Sequence, residues 1–162
     1  MIWIILITLI HTSISFAQNN PQWVVYQGNE GPGKGKHIVF ISGDEEYRSE
    51  EGLPMMAKIM AERHGFKCTV LFAIDPKTNN IDPDNQTNIP GLENLKTADL
   101  MVMLLRFREL PDQQMKHIID FTNAGKPIVA LRTSTHAFSY SRNKQNPYAK
   151  YSYNSKVKGW EG

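Results

Sequence analysis

A three-layer α/β fold around a parallel sheet is the expectation for this chain, and three observations carry it. Four near-continuous apolar runs, HIVFIS at 37–42, KCTVLF at 67–72, DLMVML at 99–104 and PIVALR at 127–132, have the composition of strands buried on both faces. Amphipathic segments of helical period separate the first run from the second and the third from the fourth. A composition of 41% hydrophobic and 21% charged residues over 162 positions suits one globular core.

Taken in order, the chain opens with MIWIILITLIHTSISFA, residues 1–17, an apolar centre too short to span a bilayer followed by small and polar residues ending in Ser15-Phe16-Ala17. It reads as a secretory signal peptide cleaved near Ala17, giving an exported product, periplasmic or extracellular, with no stable membrane span. The segment before the apolar centre holds no Lys or Arg, so an uncleaved anchor is the alternative. Residues 18–36 form an N-terminal arm, with one short extended piece at Trp23 to Tyr26 and then a Gly/Pro/Lys stretch that cannot hold regular structure. The domain proper occupies 37–162.

The first helix is expected to carry Leu53, Met56, Ile59 and Met60 on its packed face, with Pro54 in its first turn and Gly65 ending it. The second starts at Pro111-Asp112, presents Met115, Ile118, Ile119 and Thr122, and stops at Gly125. The intervening AIDPKTNNIDPDNQTNIPGLENLKTA is turn-rich and holds a short helix near Leu92 to Lys96. Cys68, the single cysteine, stands mid-strand as a small buried hydrophobe, so no intrachain disulfide forms. Eighteen basic and 16 acidic residues are scattered, without the basic face that nucleic acid requires.

Right-handed crossovers and a flavodoxin-like order 2-1-3-4 would set the first and third runs side by side at the switch point, where open parallel sheets bind ligands beyond the carboxyl ends of their strands. Three loops meet there: Asp44 to Arg48, Arg106-Phe107-Arg108, and Arg132-Thr133-Ser134-Thr135-His136. Asp44, Glu45 and Glu46 are candidate acids, bases or metal ligands, or simply solvated partners of the following helix dipole. Arg106 and Arg108, in an extended strand end, would project to one side toward a carboxylate or sugar hydroxyls, or else pair with the acidic loop. Arg132, Thr133 and Ser134 supply a cation and hydroxyls for a polar ring-shaped ligand. His136 is the candidate base beside Glu45, with a structural histidine as the alternative; no second ligand at metal spacing accompanies it. Neither GxGxxG nor a P-loop is present, and the sequence specifies no cofactor and no oligomeric state.

The segments GKGKHIVFISGDEEYRSEE, LLRFRELPDQQMKHIIDF and GKPIVALRTSTHAF together resemble the ThuA-like (trehalose utilisation) domain, over roughly residues 22–162. The resemblance implies a class I glutamine amidotransferase-like fold and a role in carbohydrate catabolism, with a sugar or keto-sugar as small-molecule partner. It also implies a departure. Where the amidotransferases carry a nucleophilic cysteine after the fourth run, Arg132 stands here, so glutamine hydrolysis has no nucleophile. ThuA-like domains continue further than Gly162, so the chain reads as a C-terminally truncated domain. A non-catalytic carbohydrate-binding or docking module, and a non-functional fragment, are the rival functions.

Overall fold

The computed structural model describes residues 22–157; the expected signal peptide lies outside the described residues. In chain order the elements are β1 (Trp23–Gln27), β2 (His37–Gly43), α1 (Ser49–His64), β3 (Lys67–Phe72), a 3₁₀ turn (Leu92–Thr97), β4 (Leu100–Leu105), α2 (Asp112–Asn123) and β5 (Ile128–Ala130). The strands form one sheet in the order β1-β3-β2-β4-β5. The four strands from β2 onward are mutually parallel and follow the order 2-1-3-4, whereas β1 joins β3 antiparallel, Trp23 opposite Leu71. The arm therefore contributes a fifth, edge strand to the sheet.

The sheet separates two apolar layers. On one face Val39 and Ile41 of β2 meet α2 and the 3₁₀ turn through Leu92, Leu95, Met115, Ile118 and Phe121. On the other, Ile38 and Phe40 meet α1. This strict alternation along β2, with every residue buried, is what a central parallel strand requires.

The helices differ in detail from expectation. The packed stripe of α1 is Ser49, Leu53, Ala57 and Ala61, spaced four apart, while Met56 and Ile59 face outward. Small side chains let the helix approach the sheet, and only one stripe a little over a residue wide can touch a flat surface at that distance. Pro54 sits in the second turn, since the helix begins at Ser49, and removes the amide that would bond the Glu50 carbonyl. In α2 the buried positions are Met115, Ile118 and Phe121, with Ile119 at the margin.

The fourth apolar run differs most. Only Ile128–Ala130 pair with β4, and Ile128 and Val129 stay 37% and 44% exposed. Among the described residues neither a strand nor a helix covers its outer side, so its apolarity is not matched by burial as it is in β2 and β3. The turn-rich crossover, by contrast, is tied into the molecule: Ile89 is fully buried, and the Ile74 to Ile81 bridge closes its first half. Among the described residues no helix is long and apolar enough to cross a membrane.

Candidate functional site

The loops after β2, β4 and β5 converge beyond the carboxyl ends of the strands. Gly43 ends β2, where an added Cβ would come within 3.2 Å of the Arg108 side chain, so the small residue admits that guanidinium beneath the loop. Asp44 follows, with no exposed surface. Its Oδ1 accepts the amides of Glu46 at 2.7 Å and Tyr47 at 2.9 Å, which folds the loop back on itself. Its Oδ2 accepts the Thr133 hydroxyl, tying the β2 loop to the β5 loop. The Ser49 hydroxyl accepts the Asp44 amide at 2.9 Å and thereby anchors the same turn to the start of α1.

Glu45 holds the β4 loop. One of its carboxylate oxygens accepts from Arg106 Nη1 and the other from Arg108 Nη2 at 2.8 Å. Arg108 is fully buried, and it also donates to the carbonyls of Arg106, Pro83 and Asn85 at 2.6–3.0 Å. Burial pushes its guanidinium down from the ordinary arginine range, with Glu45 and Asp44 opposing. Arg106 is the reverse case: burial lowers it, but Glu45 and Glu46 outweigh that and the net direction is up. Its Nε lies 3.2 Å from Glu46 Oε2 without hydrogen-bond geometry. The two arginines thus pair with the acidic loop, and Arg108 has no surface left with which to meet a ligand. Phe107 between them takes a left-handed φ of 53°, so the segment is not the extended strand end expected from sequence, and it is this kink that turns both guanidinium groups onto one carboxylate.

Beyond β5 the chain makes a sharp strand-to-helix turn in which Arg132 adopts φ 44°, a conformation that costs a bulky residue about 1–3 kcal/mol. Arg48 (φ 49°), Phe107 and Arg132 make three strained positions around one crevice. Arg132 lies over the Tyr47 ring, 4.7 Å from its centroid, and its Nη2 donates to the Tyr47 hydroxyl at 2.6 Å. Ser134 is buried, accepting the Leu105 amide and donating to the Met103 carbonyl, each at 3.1 Å. Its hydroxyl completes the end of the β4 ladder after β5 has left it. His136 packs 5.0 Å from Phe107 and 6.1 Å from Tyr153, with its Nδ1 3.2 Å from the Thr135 hydroxyl.

A cavity of about 220 Å³ opens at this junction, lined by Glu46, Tyr47, Arg132, Thr133, Thr135 and His136. Of the sequence-predicted residues, Arg132, Thr133 and His136 reach it, while Asp44, Glu45, Arg108 and Ser134 build its supports. Glu46, one of the three acidic candidates of the β2 loop, joins the lining, and so do Tyr47 and Thr135, whose only signal was membership of the two loops. Tyr153 left no signal, being one aromatic in a polar tail. Among the described residues no three His, Cys, Asp or Glu side chains converge as a metal site. Comparison of the chain with family models, with curated proteins and with solved structures found no match.

Proposed function

We propose that the chain is an exported ThuA-like protein, with a flavodoxin-like sheet of the class I glutamine amidotransferase-like kind, that binds or processes a sugar or keto-sugar in the crevice between the β2, β4 and β5 loops. The observation that carries this reading is a coincidence of sequence and space. The stretches that resemble the family, GDEEYRSEE, LLRFREL and ALRTSTHAF, are the stretches that build the crevice. Its lining of hydroxyl, guanidinium, carboxylate and aromatic groups suits a small polyhydroxylated ligand. The apolar leader at 1–17 supports export.

Within this reading His136 is the group that moves a proton, Arg132 and Tyr47 orient the ligand, and Glu45 acts as a positioning residue through Arg106 and Arg108. Glutamine hydrolysis is not part of the proposal. A guanidinium occupies the strand-to-helix turn, and the single thiol, Cys68, is buried in β3, where burial pushes it up to about 11.

A non-catalytic carbohydrate-binding module is the second reading, favoured by one specific observation: both oxygens of Glu45, the expected catalytic carboxylate, are engaged by arginines. Calorimetry and turnover assays with a panel of disaccharides and keto-sugars separate the two. Binding with turnover that His136→Asn abolishes, binding itself being kept, supports the enzyme; binding with no turnover supports the module. A full panel with neither binding nor turnover overturns both.

A further inference from the structure

We infer that the ligand of this crevice is a sugar acid, an aldonate or uronate whose carboxylate is received by Arg132. The inference rests on the sugar reading above and narrows it. Four arginines stand around the crevice, and three are paired: Arg48 with Glu51, Arg106 with Glu45 and Glu46, Arg108 with Glu45. Among the described residues Arg132 has no carboxylate within ion-pair distance, and its side chain's one hydrogen bond is to the Tyr47 hydroxyl. That bond is made through Nη2, which leaves Nε and Nη1 free to donate.

The guanidinium is also held in place. Stacking on Tyr47 and the bond to its hydroxyl restrain the exposed guanidinium, so a carboxylate meets a partly oriented fork with less rotamer freedom to lose. Asp44, the fully buried carboxylate of the β2 loop, does not compete for it, since its oxygens take two amides and the Thr133 hydroxyl.

Glu46 lines the same cavity, 3.2 Å from Arg106 Nε, and its carboxylate oxygens offer acceptors for hydroxyl donors. A cavity that holds both a guanidinium without a carboxylate partner and carboxylate acceptors suits a molecule with an anionic group and a polyol chain. Its volume, about 220 Å³, has room for a single sugar unit.

The test is a calorimetric comparison, on the full chain at pH 7, of D-gluconate and D-glucuronate with D-glucose and with acetate. The acids are expected to bind about tenfold or more tighter than glucose, in line with a charge-assisted forked contact, and also more tightly than acetate, which lacks the polyol end. Arg132→Met is expected to bring the acid-to-neutral ratio near unity, Arg132→Lys to keep part of it, and Tyr47→Phe, which loses the tether but keeps the ring, to lower it. Thermal melts confirm that each variant is folded, and Tyr47→Phe provides the answer if Arg132→Met is not. Equal affinity for acid and neutral sugars overturns the inference while leaving the sugar reading in place. Binding of acetate as tight as that of the sugar acids, or of no sugar at all, overturns both.

Discussion

Glu45 shows how one side chain decides what a site can do. It is the bridge between an exposed loop and a fully buried guanidinium, and removing it would leave Arg108 charged in the interior without its ion-pair partner. Glu45→Ala is therefore expected to destabilise the fold by about 3–5 kcal/mol, the usual consequence of breaking a buried pair from one side, as read from the urea midpoint. Glu45→Gln, which keeps one acceptor oxygen, should lose less. A defect in ligand handling on replacing Glu45 would thus be mostly a defect in loop position, whereas replacing Arg132, at the exposed turn, would remove a group that grips the ligand itself. The sequence already carried the ion-pair alternative for Arg106 and Arg108. What it could not carry was the left-handed kink at Phe107, because nothing in the identity of a phenylalanine announces a positive φ.

At the scale of elements, the loops are positioned by how helices and strands end. Gly65 closes α1 at φ 80°, its amide donating to the Ala61 carbonyl and the Phe66 amide to that of Met60, and an added Cβ would stand 2.5 Å from the Glu30 carbonyl oxygen. Gly65→Ala is expected to cost at least about 1–3 kcal/mol, from the φ penalty and the displaced 28–36 segment, measurable in the same urea titration. That glycine was legible in sequence as a helix stop, as were both helices, since period and caps are local properties; the strand order came instead from the handedness of the crossovers and an assumed doubly wound order. The buried stripe of α1 was less legible: apolarity pointed to Met56 and Ile59, but the distance of closest approach selected Ala57 and Ala61. The partners of the crossover loop were not legible at all. Pro83 and Asn85 offer carbonyls to Arg108 more than 20 residues away, and a carbonyl has no sequence signature.

At the scale of the whole molecule, two buried groups contribute to the response to acid. His37, at the start of β2, is wedged between the hydroxyls of Thr69 at 2.9 Å and Thr97 at 3.1 Å. Burial, with Lys67 adding to it, holds its imidazole below 6.5, against the Thr97 bond and Asp99. The unfolded chain then binds a proton that the folded one resists, so stability is full above about pH 6.5 and falls as pH drops from there toward the depressed folded value. Glu109 adds a second, lower window. Burial raises its carboxyl, but the amides of Arg142 and Asn143 outweigh that and hold it below 4.5, so its contribution is present above that pH and lost beneath it. Melting temperature followed from pH 8 to pH 3 should fall in two stages, and His37→Gln should remove the upper one.

The turn at Arg132 sets two demands against each other. Its left-handed backbone suits glycine or asparagine, while only a guanidinium there makes the stacked, tethered contact with Tyr47. A population of variants enriched only for solubility and folding would drift at this position toward the small residues, and one enriched for ligand capture would keep the arginine. The two lineages would diverge at a single codon, and that divergence would mark the position as functional before any ligand had been named.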